Sequence, residues 1–337
     1  MPTPISRRTF LKGSLATGSL LVLPGVLAPR AQTITVAAQA PATTADLIAA
    51  NTLAAGNLLD ALDGAERDAV TFDMDDDISR DWNWTLRQTR PGLPLSSLTE
   101  TKRDAALALV ATGMSEPGFL KALDIMALQR DLGNDPLLFW VRIFGEPGSA
   151  RWGWSFLGHH LTVNTRIVGD EIFTTPMFLG ARPTITQKDG DDFHVMAVEE
   201  LTARELVLSL GEPAIYTSTS PGDILGDQTY RMEPLTPQGI ATATFNEPQL
   251  AMLDSILEEY IGAHPAPVAG AMREQVAAEG IENLTFGWTG STVPEERHTY
   301  AVFGETFLLT YNNVRHSGTH IHSVWRNYGH DFGASRL

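Results

Sequence analysis

Between residues 42 and 63, Ala and Leu recur at helical spacing, with Thr43 or Thr44 placed to cap a helix and Gly64 to stop it. The same period returns over 100–112 and 116–131. There Ala106, Leu107, Leu109 and Val110, then Leu120, Leu123, Ile125 and Met126, mark apolar faces behind the cap positions Thr99 and Ser115. This pair predicts an αα-hairpin. Further helices are expected over 197–209, over 246–261 with Asn246 as cap and Pro248 in the first turn, and over 266–279. A different pattern lies between these blocks. Leu137 to Phe144 reads as a buried strand, and Gly145-Glu146-Pro147-Gly148 turns the chain. Trp152 to Val168 reads as one long strand, with Glu171 to Leu179 as its hairpin partner across Gly169-Asp170. Strands are expected again over 284–289, 298–304, 306–313 and 319–327, with a turn at Gly304-Glu305. Helices in blocks and strands in hairpins predict an α+β fold built on a mostly antiparallel sheet.

Residues 65–95 follow neither period. The acidic run Asp73-Met74-Asp75-Asp76-Asp77 lacks the frame of a calcium loop and reads as a solvated turn. Dinucleotide and phosphate-loop glycine motifs, a Gly-x-Ser-x-Gly elbow and a His-Glu-x-x-His helix are all missing from the sequence. Paired carboxylates for glycoside cleavage cannot be singled out among 40 acidic residues.

The N-terminus changes the picture. Ser6-Arg7-Arg8-Thr9-Phe10-Leu11-Lys12 has the form of a twin-arginine export signal, followed by an apolar stretch from Gly13 to Ala28. That stretch is short for a membrane span and is broken by Pro24 and Gly25. Val36-Ala37-Ala38 offers a cleavage site, and Ala31 another. The expected organisation is a signal peptide over 1–38 and a single domain over 39–337. The expected location is the periplasm or the medium, reached through the twin-arginine translocase, with no stable membrane association. That route carries folded proteins, many of which have already taken up a cofactor. Loss of residues 1–38 removes Arg7, Arg8, Lys12 and Arg30 from a chain whose net charge is already −16. Such acidity argues against nucleic acid as a partner. With no cysteine at all, disulfides, thiolate metal sites, iron–sulfur clusters and cysteine nucleophiles are excluded.

Histidine carries the remaining chemistry. Four of the nine histidines fall between residues 316 and 330. On a strand, His320 and His322 project to the same side, which suits two ligands of one metal. A second cluster, His159-His160, follows Trp152-Gly153-Trp154; neighbours on a regular strand face opposite ways, so one of the two is expected to join the site. The alternative is a set of hydrogen-bonded core and surface histidines. Three imidazoles and an open position would suit zinc, copper, iron or manganese. His298 and His316 are weaker candidates, and His194, His264 and His330 read as surface residues. Glu146 is a candidate base, fourth ligand or plain turn residue. Arg326 beside Trp325 is a candidate anchor for a carboxylate or phosphate. Trp152 and Trp154 share a strand face, as an aromatic wall or as core.

The order of these blocks resembles a known family. Phe144-Gly145-Glu146-Pro147-Gly148, Trp152-Gly153-Trp154-x-Phe156-x-Gly158-His159-His160-Leu161-x-x-Asn164, Pro176-x-Phe178-Leu179-Gly180-Ala181-x-Pro183 and His320-x-His322-Ser323-Val324-Trp325-Arg326 are similar to the bacterial and fungal family catalogued as domain of unknown function 3500. Arg80-x-Trp82 and Gly92-Leu93-Pro94-Leu95 fit as well, and the likeness runs from about Asp46 to Phe332. The resemblance implies no reaction. It does mark His159, His160, His320 and His322. Where an acidic pair would be expected after Phe307, this chain has Thr310-Tyr311-Asn312-Asn313.

The resulting expectation is an exported metal-dependent enzyme acting on a small molecule, with hydrolysis as the first choice of reaction. Alternatives are a non-catalytic binder of a metal or small anion, and a copper or iron oxidoreductase.

Overall fold

Reciprocal caps set the helix starts. Thr43 accepts from the Asp46 N–H while the Asp46 carboxylate accepts from the Thr43 N–H, opening α1 (Thr44–Ala61). Asp63 and Glu66 repeat the device and open α2 (Gly64–Val70). Gly64, expected to end a helix, therefore begins the next one. α3 (Glu100–Thr112) and α4 (Glu116–Ala127) form the expected helical pair; α4 tightens into a 3-10 turn over Leu128–Leu132 and stops at the left-handed Gly133. α5 (Ala197–Leu210), α6 (Glu247–Ile261, capped by Asn246) and α7 (Ala266–Glu279) lie within a residue or so of their expected spans. No helix among the described residues is long and apolar enough to cross a membrane.

This is a computed structural model, and it describes residues 21–23, 34–36, 41–211 and 233–336. The chain divides into two units, Met1–Ala40 and Pro41–Leu337. In the first, β1 (Leu21–Leu23) pairs antiparallel with β2 (Ile34–Val36). The twin-arginine motif and both cleavage candidates except Val36 lie outside the described residues.

The second unit is built on one twelve-stranded sheet. Its strands are β3 (Thr71–Phe72), β4 (Leu93–Pro94), β5 (Phe139–Phe144), β6 (Arg151–Gly158), β7 (Leu161–Val168), β8 (Glu171–Phe173) and β9 (Met177–Ala181). After the separate hairpin β10 (Ile185–Lys188) and β11 (Asp191–His194) come β12 (Ile240–Ala241), β13 (Thr285–Gly290), β14 (His298–Phe303), β15 (Phe307–Asn313) and β16 (Ile321–Asn327). The main path runs β12-β13-β14-β15-β16-β9-β7-β6-β5-β3. Every pairing is antiparallel except that of β3 with β5. The α+β architecture is therefore as the periodicity implies, but two strands differ. The long strand expected over 152–168 is two strands folded back at His159-His160. Its expected partner is also two pieces, β8 and β9, interrupted at Thr174-Thr175-Pro176.

Strand alternation gives the sheet two distinct faces. On one, helices cover Trp154, Tyr300, Tyr311 and Ser323. Asn51 of α1 accepts from the Trp154 indole at 2.8 Å, and Tyr260 of α6 bonds Ser323 at 2.6 Å. On the other face lie Arg142, Arg166, Phe178, His322, Val324 and Arg326, covered by the irregular segment 73–92. Three fully buried arginines hold that segment down. Arg142 donates to the Pro91 carbonyl and pairs with Asp81, and Arg166 donates to the Ser79 carbonyl. Arg326 lies over the Trp82 ring and pairs with Asp331. Within the strap, Asp76 caps a short 3-10 turn and Asp75 pairs with Arg151. The acidic run is thus a turn.

His264, expected at the surface, is buried behind the end of α6, with Nδ1 2.7 Å from the Thr174 hydroxyl. Burial lowers its pKa from 6.5 to about 4. Between these two values the unfolded chain binds the extra proton and the folded chain does not. Stability is then lost as pH falls from 6.5 towards 4, by up to about 3 kcal/mol from this group. Urea melts of His264→Gln should show a flatter loss over that window; an unchanged slope would contradict burial as the cause.

Candidate metal centre

Gly158 and Leu161 are the last residue pair of the β6–β7 ladder, so His159 and His160 form a two-residue turn. A turn puts both side chains on the same side of the chain end, as a straight strand would not. Their rings stack with centroids 3.7 Å apart. His160 has φ 68, a left-handed conformation that a residue with a Cβ adopts at a cost. Two hydrogen bonds enforce it. Its N–H donates to the Trp84 carbonyl at 3.0 Å, and its carbonyl accepts from the Gly180 N–H at 2.8 Å. A Cβ on Gly180 would lie 2.6 Å from the Ile321 carbonyl and 3.3 Å from the His160 Cβ, so only glycine lets β9 approach both.

The second arm comes from β16 and the loop before it. His316, Ser317 and Gly318 all have positive φ. Asn313, fully buried, spans this loop: its Oδ1 accepts from the His320 N–H at 2.9 Å and its Nδ2 donates to the Gly318 carbonyl at 2.7 Å. Asn312, opposite His322 in the ladder, donates to the His322 carbonyl at 3.3 Å. The carboxamides that replace the expected acidic pair therefore fix the backbone of the histidine strand.

The two arms meet. His159, His160 and His320 form a group that can hold a metal ion, each offering one ring nitrogen within 4.8 Å of the others. His320 Nε2 lies 2.6 Å from His160 Nε2 and 3.1 Å from His322 Nε2, while its Nδ1 lies 2.8 Å from His316 Nδ1. An imidazole nitrogen carries either one proton or one lone pair in the ring plane. His320 Nε2 can therefore make one good hydrogen bond, not two, and its second close nitrogen is left with a like group. A cation between the nitrogens removes that conflict. Ligand nitrogens on a tetrahedral ion sit about 3.4 Å apart, given metal–nitrogen bonds near 2.0–2.1 Å.

His159 is held from behind. Its Nδ1 lies 2.8 Å from Gln129 Oε1, which also accepts from Asn134 at 3.3 Å. With the amide so oriented, His159 Nδ1 is the donor and Nε2 presents its lone pair, the usual arrangement behind a metal ligand. Protons are kept off the cluster as well. Burial first, then the charge of His322, Arg182 and Arg90, lowers His159 to about 4. Burial and the surrounding histidines, with Arg182, push His160 and His320 down further. Neutral rings are what metal binding requires. Trp84 and Phe178, stacked at 4.3 Å, wall the inner side, with centroids 6.0 and 5.6 Å from His322. The outer side is open: His159 is half-buried and His316 exposed.

The family model described as "Protein of unknown function (DUF3500)" matches residues 44–334. The chain belongs to the DUF3500 family. No curated protein and no solved structure matches it. The DUF3500 match spans both arms of the histidine cluster and the strap that carries Trp84.

Other residues marked by sequence lie elsewhere in this DUF3500 fold. Glu146 is exposed in the turn after β5, where its carbonyl accepts from Ser149. That is the opposite end of β5 from the Phe139–Gly158 pair, roughly 20 Å from the histidine turn at 3.3 Å per residue. Glu146 is thus a turn residue and not a base at this site. Arg326 shares a sheet face with His322 but is buried against Trp82 and paired with Asp331, so it anchors the fold instead of a ligand. Trp325 points to the other face and stacks on Phe307 at 4.4 Å. Trp152 and Trp154 are fully buried core. His298 stacks on Trp288, and His194 lies 3.4 Å from Glu200; neither reaches the cluster. A groove of about 560 Å³ lined by Phe173, Met272 and Tyr328 also lies apart from it. The DUF3500 cluster is therefore built from the β6–β7 turn on one side and from β16 and the loop before it on the other. His316, rated weak by sequence, touches the cluster only from outside, through the far ring nitrogen of His320, Nδ1. Gln129 and Trp84 were missed, because nothing in their local patterns distinguishes them, and Asn313 was marked only as a departure from an expected acidic pair, without its bridging role.

Asn313→Asp tests the role of the carboxamide. The aspartate keeps the acceptor for His320 but loses the donor to Gly318, leaving a buried carbonyl unpaired. We expect a loss of about 1–3 kcal/mol in chemical denaturation. Stability equal to the wild type would show that the loop does not depend on this bridge.

Proposed function

We propose that this protein is an exported metal-dependent enzyme of hydrolase type. Its divalent transition ion would be held by His159, His160 and His320, with His322 as the further nitrogen able to enter the coordination sphere. The observation that carries the reading is the position of His320 Nε2, 2.6 Å from one imidazole nitrogen and 3.1 Å from a second. An all-imidazole set suits zinc, and also copper, iron or manganese. An ion held there would supply Lewis acidity to a substrate oxygen and lower the pKa of a water in its open position. The chain's own part is to keep the rings neutral, lock the His159 tautomer through Gln129, and leave a solvent-facing side for the substrate. The Ser6–Lys12 motif supports export to the periplasm or medium in the folded state, with the ion already in place.

One observation favours a second reading, a non-catalytic binder of metal or small anion. Apart from burial, the largest influences on the protonation of His159, His160, His316 and His320 come from neighbouring histidines and arginines, not from a carboxylate placed to act as a base. The two readings separate in a substrate screen. Protein loaded with zinc, copper, iron or manganese would be assayed on carboxylic esters, amides and phosphate esters. The enzyme reading predicts turnover that is lost on chelation and in His160→Ala, with the variant's circular dichroism unchanged. Loaded, folded protein that turns over none of them would support the binder. Oxygen-dependent turnover confined to the copper or iron form would support an oxidoreductase.

A further inference from the structure

We propose that the histidine centre receives an oxyanion, the carboxylate or phosphate group of a small molecule, gripped between Arg182 and Arg90. The inference rests on the metal reading above and names the chemical class of its ligand.

Arg182 directly follows Ala181, the ladder partner of Ile321, so the register places it across from His320. It is half-buried, and among the described residues no hydrogen bond or ion pair engages its guanidinium. Its charge acts on His159, His160, His316 and His320 alike, which places it close to the whole cluster.

Arg90 approaches from the strap. It is only 9 % exposed, and its Nη2 donates to the carbonyl of Thr85. Thr85 follows Trp84, whose carbonyl takes the His160 N–H. The guanidinium lies 5.6 Å from the Trp140 ring, on the strand beside the histidine turn, and its charge acts on His159. Arg90 Nε and Nη1 are buried without a protein partner. The acidic group that acts on Arg90 is Asp81, which already pairs with Arg142 at 3.1 Å.

Buried, unpaired guanidinium donors are costly, and a fork of N–H groups matches the paired oxygens of a carboxylate or phosphate. Arg142, Arg166 and Arg326 direct donors to carbonyls or Asp331 and hold the strap. Arg142 also keeps one buried donor, Nη2, without a protein partner, but Arg90 and Arg182 are the arginines whose charge acts on the histidine cluster. The setting sharpens the argument. The chain carries net charge −16, yet the permanently charged side chains among the largest influences on this cluster are arginines. A divalent ion would add to the local positive charge. Such a reversal inside an acidic protein concentrates small anions at one place.

The test uses cobalt(II) as a coloured probe of the centre. Full-length protein is loaded with cobalt, and its visible spectrum is followed during titration with inorganic phosphate, with acetate, and with neutral imidazole as control. Wild type is compared with Arg182→Gln and Arg90→Gln, each checked for cobalt stoichiometry and thermal melting. We expect phosphate, acetate or both to bind wild type. Affinity for the anion should fall about tenfold or more in Arg182→Gln, with imidazole binding unchanged. Response to acetate alone assigns a carboxylate ligand, and response to phosphate alone a phosphate ligand; both support the proposal. Cobalt bound normally with anion affinity unchanged in Arg182→Gln would overturn the anion assignment and leave the metal reading intact. Failure of wild type to bind cobalt or any other transition ion would remove the metal reading and this inference with it.

Discussion

His160 holds a backbone conformation that it would not choose, and the rest of the centre depends on the two hydrogen bonds that enforce it. Trp84 takes its N–H and Gly180 donates to its carbonyl. One bond comes from the irregular strap and the other from β9. The strap itself stays in place because Arg142 and Arg166 donate to its backbone carbonyls and Arg326 lies over Trp82. Each of these guanidiniums is buried, so removing its partner would leave donors without water or protein to satisfy them. The strength of that requirement ties a segment without regular structure to the sheet. It also carries the force that folds the β6–β7 turn towards β16.

The second arm is fixed by amide chemistry. Asn313 must both accept and donate, to His320 and to Gly318, which a carboxylate cannot do. The loop it spans has three successive positive φ values, at His316, Ser317 and Gly318. Strained turns on both arms thus point imidazoles at one place, and burial keeps His159, His160 and His320 uncharged. The arrangement makes little sense as ordinary core. Core histidines in this same chain find other solutions: His264 bonds a threonine hydroxyl, and His298 bonds the Glu296 carbonyl and stacks on Trp288. At the cluster, nitrogen faces nitrogen.

Much of the architecture was legible from the sequence because helix caps and strand alternation are local signals. Thr43, Ser115 and Asn246 stand where helices begin, and the four C-terminal strands alternate clearly enough to place. The turn at His159-His160 was not legible, since two-residue hairpin turns favour Gly and Asn at positive φ and this one uses histidine. That single misreading implied that only one of the pair could reach the site. The stack at 3.7 Å shows both on the same side. Segment 73–92 was opaque for another reason: its order comes from buried arginines on strands far away in sequence. The same holds for Arg182 and Arg90. Their roles follow from the β9–β16 register and from the path of the strap, which only the assembled sheet supplies. Glu146 was suggested by nearness in sequence to the first histidine pair, but an antiparallel hairpin separates them by the length of β5.

The measurement that tests the account most directly is elemental analysis of protein purified from cells, wild type beside a His160→Ala/His320→Ala double variant. The account predicts close to one equivalent of a transition metal in the wild type and loss of most of it in the variant, with both folded by circular dichroism. Folded wild type that carries no transition metal, and takes up none when offered zinc, copper, iron or manganese, would contradict it.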